Sequence, residues 1–341
     1  MRIRNKTVAG VAVVVAATLA LAGCSSTGGA KATETTAAAS TSGAAAGAGG
    51  TLPSTPRYKI WFITHGAPGD TFWDIVRKGA EAAAAKDNIE LNYVANPDPA
   101  GQAQAVQQAV DAKVNGIAVT LAKPDAMKGA VQNAVAAKIP VTGLNGGLDV
   151  WKSFGLSGYF GQDESVAGEA VGTKLNGEGA KHAVCVIQEQ GNVGLESRCA
   201  GIKKTFKGTV ENLQVDGQNI SGVQSAIAAK LQTSKDVDRV IALGAPYALA
   251  AVQSVKDAGS SAKVATFDTN ALLLAAIQAG TVEWAIDQQP YLQGYLAVDS
   301  LWLYLSNGDV VGGGLPVLTG PAFIDKTNVE ALVGYAKAGT R

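Results

Sequence analysis

The sequence predicts an α/β protein with two similar lobes, each a doubly wound parallel β-sheet with helices on both faces. From residue 58 onward, short apolar runs alternate with longer segments of helical periodicity, which is typical of βα units. Several apolar runs, such as 116–121, show no regular polar alternation, which indicates strands buried on both faces. The alternation starts again after residue 162, and two successive series of units predict two lobes.

The first series provides five predicted strands and the three helices between the first four of them. The strands are predicted at 58–64, 89–94, 116–121, 140–145 and 159–162. The helices are predicted at 72–86, 101–113 and 125–137.

The second series repeats this pattern after residue 162. Its strands are predicted at 182–189, 210–215, 239–244, 262–268 and 282–288. Its helices are predicted at 164–176, 196–207, 221–233, 246–258, 270–279 and 291–306.

The turn after the first predicted strand, 64–74, is the first candidate for a ligand site. Ligands of open α/β sheets bind at the carboxyl ends of the strands, where this turn lies. The turn places two adjacent aromatic residues, Phe72 and Trp73, at the start of a helix. Thr71 and Asp74 fit a capping box, which would fix the direction of both rings. Packing in the core is the alternative role for Trp73.

The amino terminus has the features of an export signal. Arg2, Arg4 and Lys6 precede an uncharged apolar run over 8–23 that is shorter than a membrane-spanning helix. The run ends in Leu-Ala-Gly-Cys, which resembles a bacterial lipobox and implies cleavage of residues 1–23 and lipidation of Cys24. An ordinary signal peptide with an incidental cysteine is the alternative.

The composition after the signal separates a tether from a folded body. Residues 24–56 consist mostly of Ala, Gly, Ser and Thr, so they cannot bury enough apolar surface to fold. The whole chain has 28 basic and 28 acidic residues and a formal net charge of zero. Because it contains no basic stripe, we expect no nucleic-acid partner.

The two remaining cysteines, Cys185 and Cys199, lie in a chain that is predicted to be exported. Disulfides persist in such compartments, and closing a loop this short would stabilise the fold by roughly 3 kcal/mol on the entropy model. A structural disulfide is the favoured interpretation, and two buried thiols are the alternative.

No set of residues for catalysis or cofactor binding is found. The only histidines are His65 and His182, and the sequence contains no HExxH, G-x-S-x-G or Walker motif. The turn after the first strand contains Pro68, which argues against a dinucleotide-binding loop. We therefore expect neither an enzyme, nor a metal site, nor a cofactor.

An exported, lipid-tethered chain with two α/β lobes and no catalytic set resembles the solute-binding proteins of ABC importers. Within them it is similar to the sugar-binding group typified by the ribose-binding protein. The resemblance covers roughly 58–325 and rests on five separated segments. These are Phe72-Trp73 with 79–81, then 139–145, 191–201, 264–268, and finally 286–291 with Gly294.

The resemblance implies the periplasmic binding protein type I fold, in which a three-segment hinge joins two discontinuous lobes. The first lobe is expected to comprise 57–162 and 290–316, and the second 163–289 and 317–341. The crossings are expected near 161–164, 288–291 and 315–320.

The resemblance also implies which residues contact the ligand. Aromatic rings suit the apolar C–H face of a sugar, and carboxylate, guanidinium and amide groups suit its hydroxyls. Carried over by position, the expected contacts are Phe72, Trp73, Asn145, Arg198, Asn219, Asp268 and Gln288, with His65 and Tyr247 as further candidates.

Several of these residues have a structural alternative. Asp268 would otherwise cap the helix at 270–279, and Arg198 would form a surface ion pair. Gln288 would otherwise hydrogen-bond only within the hinge. Asn145 would be a turn residue, and His65 would stabilise its turn.

Two positions depart from the family pattern. Asn145-Gly146 stands where an Asp-Arg pair is common. Gly244 stands where an asparagine often binds, with Tyr247 close behind. Both departures disfavour a cyclic pentose and leave another sugar, a polyol or a different small polar solute.

The resemblance implies an extracytoplasmic receptor that captures a small sugar or polyol and delivers it to an ABC permease. The protein is expected to be a monomer that Cys24 anchors to the outer face of the cytoplasmic membrane. A sensory or quorum-signal receptor for a small polyhydroxylated ligand is the alternative, with the same fold and export. A sugar-responsive transcription regulator would instead need a helix-turn-helix in place of the lipobox.

Overall fold

The computed structural model describes residues 54–341, and every structural statement below refers to these residues. The predicted signal peptide (1–23), the lipidation site at Cys24 and all of the predicted tether except residues 54–56 lie outside the described residues. None of the helices within 54–341 is both long and apolar enough to cross a membrane.

The first lobe contains a six-stranded sheet in which all neighbouring strands are parallel. From one edge to the other, its strands are β11 (Val317–Leu318), β5 (Gly158–Gly161), β4 (Val141–Leu144), β3 (Gly116–Thr120), β1 (Lys59–Thr64) and β2 (Glu90–Ala95).

The second lobe repeats this strand order in a second six-stranded sheet. Only its last pair, β10 with β12, is antiparallel. From one edge to the other, its strands are β12 (Ala322–Asp325), β10 (Trp284–Asp287), β9 (Lys263–Phe267), β8 (Arg239–Ala242), β6 (His182–Ile187) and β7 (Thr209–Gln214).

Within the described residues, nine helices connect strands and a tenth follows the last strand. They are α1 (Thr71–Lys86), α2 (Pro99–Asp111), α3 (Pro124–Ala136), α4 (Glu164–Gly177), α5 (Val193–Thr205), α6 (Ile220–Thr233), α7 (Ala245–Asp257), α8 (Ala271–Ala279), α9 (Pro290–Asn307) and α10 (Glu330–Lys337). The predicted fold class is confirmed, and the predicted elements agree with these bounds to within a few residues.

Alternate residues of the central strands enter two different cores in each lobe. In β1, Phe62 packs in the cluster beneath α1, whereas its neighbour Ile63 packs in the cluster beneath α2 and α3. In β6, Val184 and Cys185 enter opposite clusters in the same way. Both faces of each sheet are therefore buried, which explains the continuously apolar runs in the sequence.

Three segments connect the lobes. They lie between β5 and α4, between β10 and α9, and between β11 and β12. The predicted boundary at 316/317 differs from the structure, because β11 pairs with β5 in the first sheet. The third connection is therefore residues 319–321. The apolar pair Val317-Leu318 was too short to be recognised as a strand from sequence.

Cys185 and Cys199 form a disulfide between β6 and α5 in the second lobe. Both side chains are fully buried. The bond joins the strand to the helix that follows it, and α5 carries one of the candidate ligand-binding residues.

Two glycines allow α1 and α9 to pack closely in the first lobe. A Cβ atom at Gly79 would lie 1.9 Å from the carbonyl oxygen of Tyr291, and one at Gly294 would lie 1.9 Å from the carbonyl oxygen of Val76. The helix backbones are thus too close for any side chain at these positions.

The second lobe contains a corresponding pair between α4 and α5. A Cβ atom at Gly168 would lie 2.2 Å from the Arg198 carbonyl oxygen, and one at Gly201 would lie 2.4 Å from the Ser165 carbonyl oxygen. In each lobe, a pair of glycines thus lets the helix that follows a lobe connection, α9 or α4, pack closely against the helix that follows the first strand, α1 or α5.

Gly79→Ala is expected to destabilise the protein by about 1–3 kcal/mol, because α1 and α9 must separate to admit the methyl group. The control is Gly129→Ala in α3, where a Cβ atom would meet nothing within 4 Å. That change should stabilise the protein by up to about 1 kcal/mol. Urea unfolding of the soluble body measures both values. Equal stability of the two variants would contradict the packing role of Gly79.

Candidate ligand site between the two lobes

The carboxyl ends of the strands in the two sheets face each other across a cleft. Direct hydrogen bonds cross it: the Val193 backbone N–H donates to the Ala122 carbonyl at 3.0 Å, and Asn270 Nδ2 donates to Thr71 Oγ1 at 3.2 Å. The lobes therefore lie in a closed arrangement. An inner cavity of about 50 Å³ remains between them, lined by residues of both lobes.

The structure brings eight of the nine predicted ligand-binding residues to the inner cavity. They are His65, Phe72, Trp73 and Asn145 from the first lobe, Arg198, Tyr247 and Asp268 from the second, and Gln288 in the second connection. The ninth, Asn219, does not reach it. Asn219 is exposed and caps α6, where its side chain accepts a hydrogen bond from the Gly222 backbone N–H at 2.9 Å.

The start of α1 forms the aromatic wall of the cavity. Its N-cap is Asp70, whose side chain accepts a hydrogen bond from the Phe72 backbone N–H at 3.0 Å. The predicted capping box of Thr71 and Asp74 is therefore wrong, because Thr71 is already the first residue of the helix. Asp70 is partly buried beside the cavity, and loss of solvation there raises its pKa to about 6.

Phe72 and Trp73 both line the cavity and pack into the core of the first lobe. Their ring centroids are 5.0 Å apart at an interplanar angle of 82°, and the Trp73 ring lies 4.7 Å from that of His65. The edge-to-face contacts hold the rings in fixed directions. Phe72 and Trp73 therefore pack in the core and also present apolar surface to the cavity.

His65 is held by a threonine of the neighbouring strand. Its Nδ1 lies 2.7 Å from Thr120 Oγ1, and its Nε2 lies 3.4 Å from Asn192 Nδ2 and 3.7 Å from Glu189 Oε2. Burial lowers the pKa of the ring, although Glu189 opposes this shift. His65 is therefore a neutral group at the rim of the cavity at neutral pH.

Arg198 forms a buried, two-pronged ion pair with Glu164. Its Nε and Nη2 donate to the two carboxylate oxygens at 2.6 and 2.9 Å, and Nη1 donates to the Leu243 carbonyl at 3.2 Å. Only 4% of the side chain is exposed, which excludes the surface ion pair considered as its alternative role. Nη1 also lies 3.8 Å from Asp268 Oδ2, so the guanidinium links two carboxylates at the cavity.

Asp268 and Asn145 occupy corresponding positions in the two lobes. Each follows the fourth strand of its sheet, with a φ of 66° for Asp268 and 61° for Asn145. Each donates its backbone N–H to the next strand, to Ile286 at 2.7 Å and to Phe160 at 3.0 Å. Asp and Asn are the side chains that tolerate this left-handed conformation best, which explains both residue types.

Asp268 is free to serve the cavity because another residue caps the following helix. Asn270 caps α8, accepting from the Leu273 backbone N–H at 2.8 Å. Asp268 Oδ1 accepts from Gln288 Nε2 at 2.7 Å. Burial raises the pKa of Asp268 to about 7, while Arg198 and Gln288 oppose this shift.

Gln288 joins the cavity to the connections between the lobes. Its Oε1 accepts from Gln293 Nε2 at 2.9 Å and from Asn145 Nδ2 at 3.3 Å. Gln293 Nε2 is also within hydrogen-bond distance of Thr319 Oγ1, at 3.1 Å, on the third connection. Gln288 therefore forms hydrogen bonds within the hinge and also lines the cavity.

Gly244 and Tyr247 form one feature of the second lobe. A Cβ atom at Gly244 would lie 3.0 Å from the Tyr247 ring, so the ring occupies the space that a side chain at position 244 would need. An asparagine at position 244 would need the space that Tyr247, in the first turn of α7, occupies. This explains why glycine stands there in this chain.

Sequence reasoning missed several polar residues of the cavity. Asp70 and Asn192 are the N-caps of the first helix in each lobe, and both line it. Gln188 and Glu189 follow β6, at the positions that correspond to His65 and Gly66 after β1. Aligning the two internal repeats would have identified these residues.

The model of a family described as the periplasmic binding protein domain matches residues 60–309 of the chain. Among curated proteins, the chain is similar to the xylose/arabinose-binding protein of Sulfolobus acidocaldarius. The two sequences are 26% identical over 302 residues, which cover 82% of this chain and 74% of the relative.

Two solved structures are also similar to the chain. One is a carbohydrate transporter from Acidothermus cellulolyticus in complex with myo-inositol, 56% identical, with a TM-score of 0.83. The match covers 84% of this chain and 100% of that one. The other is a periplasmic sugar-binding protein of an ABC transporter from Legionella pneumophila. It is 26% identical, has a TM-score of 0.72 and covers 77% of this chain and 100% of that one.

Proposed function

The chain belongs to the periplasmic binding protein domain family, and from this premise we propose that it binds a cyclic polyol of the inositol class. The polyol is held between the two lobes and delivered to an ABC permease. The observation that carries the proposal is the convergence of Asp268, Arg198 and Trp73 on one cavity. The ligand class comes from the complex of the Acidothermus cellulolyticus relative with myo-inositol.

The chemistry of the cavity suits a ring that carries hydroxyls on every carbon. The Asp268 carboxylate accepts hydrogen bonds from hydroxyls, and the Arg198 guanidinium donates to them. The amides of Asn145 and Gln288 can do both. Phe72 and Trp73 offer an apolar surface to the C–H bonds of the ring.

Ligand capture then follows from contacts with both lobes. A ligand that bonds to Asp268 in one lobe and stacks on Trp73 in the other favours the closed arrangement by its differential affinity. Hinge closure is the motion known for periplasmic binding proteins. The three connections would serve as the hinge, and a lipid on Cys24 would keep the receptor near its permease. The proposal assigns no catalytic step to the chain.

Thermal unfolding of the soluble body tests the proposal. myo-Inositol at about one hundred times its Kd should stabilise the fold by about 2.7 kcal/mol and raise the melting temperature. Ribose should give a smaller shift, because the Asp-Arg pair common in the family is Asn145-Gly146 here. An amino acid that shifts the melting temperature while no cyclic polyol or sugar does would overturn the proposal.

The affinity for myo-inositol is expected to rise with pH between about 5 and 7. Burial raises the pKa of Asp268 to about 7, so the carboxyl is largely protonated below this pH. Protonation removes the charge and turns one of the two strong acceptor oxygens into a hydroxyl donor. Binding should therefore weaken up to about tenfold for each pH unit below the pKa.

Calorimetric titration at several pH values measures this dependence. Asp268→Asn is the matched control, because the amide does not titrate and should flatten the profile. Titration of Asp70, whose pKa is raised to about 6, would leave a residual pH dependence of the affinity only in the lower part of the pH range. A profile of the unmodified protein that stays flat from pH 5 to 8 would contradict the role of Asp268.

A further inference from the structure

A second, larger cavity adjoins the inner cavity on the side away from the hinge. It has a volume of about 450 Å³, within the range of about 300–1,000 Å³ typical of small-molecule sites. We name it the outer chamber. It lies between residues that follow β1, β2 and β3 in the first lobe and β6, β7 and β8 in the second. These strands lie away from β5 and β10, next to which the lobes are connected.

The outer chamber and the inner cavity share part of their walls. The six residues that line both are His65, Asp70, Trp73, Gln188, Glu189 and Tyr247. These shared residues form the boundary between the two cavities, so a ligand ring in the inner cavity lies directly beside the outer chamber. A substituent on that ring that points away from the hinge would enter the outer chamber.

The walls of the outer chamber are rich in uncharged hydrogen-bonding groups. Four glutamines line it: Gln188, Gln190, Gln214 and Gln218. Gln188 Oε1 is buried and has no hydrogen-bond partner among the described residues. Such an atom needs a donor from elsewhere, because a buried acceptor without a partner is unfavourable. A ligand hydroxyl would supply that donor.

The charges of the outer chamber argue against an anionic substituent. Asp70, Glu189 and Asp216 contribute carboxyl groups. The one cationic side chain among its lining residues is that of Lys123, whose Nζ already lies 3.2 Å from Glu189 Oε1. A phosphate there would meet more negative than positive charge. The Trp73 and Tyr247 rings instead offer apolar surface to a second sugar ring.

We propose that the outer chamber is a second subsite that binds a glycosyl group, so that the protein accepts glycosylated cyclic polyols as well as the free polyol. This inference rests on the proposed function, because the polyol ring must occupy the inner cavity. The recognised class is a neutral glycoside in which one sugar is attached to the ring oxygen that faces the outer chamber.

Calorimetry with two ligands tests the subsite. The probes are myo-inositol and galactinol, its galactosyl derivative, titrated into the soluble body. Galactinol is expected to bind at least as tightly as myo-inositol. Gln218→Trp should fill the outer chamber and lower the galactinol affinity by at least about tenfold, while changing the myo-inositol affinity less than about twofold. Gln190→Trp is a second variant with the same expected result.

Gln132→Trp in α3 is the control, because Gln132 is exposed and does not line either cavity. It should leave both affinities unchanged. Binding of myo-inositol without galactinol would overturn the subsite and leave the proposed function intact. Failure of both ligands would overturn the proposed function and the subsite with it. Equal losses of both ligands in Gln218→Trp and Gln190→Trp would also overturn the subsite.

Discussion

Asp268→Asn is expected to lower the affinity for myo-inositol at least about a hundredfold, equivalent to about 2.7 kcal/mol. The variant keeps the size of the side chain but removes the charge and one acceptor. Asp268 Oδ1 already accepts from Gln288 Nε2 at 2.7 Å. In the Asp268→Asn variant, the amide oxygen is expected to keep this bond. The amide NH2 group would then take the place of the oxygen that faces Arg198 and the ligand.

The fold should tolerate this change. The left-handed φ of 66° at Asp268 favours asparagine, and Asn145 adopts a φ of 61° at the corresponding position of the first lobe. Calorimetry measures the affinity, and circular dichroism with thermal unfolding checks the fold. Asp111→Asn, on the exposed end of α2, is the control and should bind normally. A well-folded Asp268→Asn protein with undiminished affinity would remove Asp268 from the site.

Arg198→Met is expected to lower the free energy of unfolding by about 3–5 kcal/mol, because it leaves the buried Glu164 carboxylate without its cation. Glu164 would retain only the hydrogen bond from Gln162 Nε2 at 2.7 Å. Arg77→Met is the matched control. Arg77 pairs with Glu81 at 2.7 Å, but both side chains are about half exposed, so its loss should be below about 1 kcal/mol.

A second substitution separates the stability lost by leaving Glu164 unpaired from the contribution of Arg198 to ligand binding. Glu164→Gln added to Arg198→Met should restore at least about half of the lost stability, since no unpaired charge then remains. The affinity for myo-inositol should stay low in the double variant, because the guanidinium is still absent. Urea unfolding and calorimetry measure the two effects. Recovery of binding together with stability would show that Arg198 acts only on the fold.

The fold could be predicted largely because both sheets are buried on both faces. The apolar runs of β3 and β6 have no competing polar pattern, so their type and position are clear from sequence. The two-residue strand β11 carries no such signal. Its place in the first sheet depends on pairing with β5 across more than 150 residues of chain, which no local pattern encodes.

The residues that line the cavity could be predicted where a residue type is unusual for its local position. Two aromatics at a βα turn and an aspartate after a buried strand both stand out. Asn219 was misassigned because asparagine is also a common N-cap, and local capping explains it fully. Glu164 was missed because it opens a helix on the far side of a lobe connection. Its pairing with Arg198 depends on the packing of α4 against α5.

The repeated strand order also bears on how many orientations a ligand can adopt in the cleft. Two identical lobes would present a two-fold symmetric site, in which a ligand could bind in either of two opposite orientations. Here the corresponding positions have diverged: Asn145 of the first lobe corresponds to Asp268 of the second, and Asp70 corresponds to Asn192. A ligand turned around in the cleft would therefore meet an acid where it had met an amide, and an amide where it had met an acid. For the proposed cyclitol, which is a nearly symmetric ring, this divergence would make the two orientations unequal in energy.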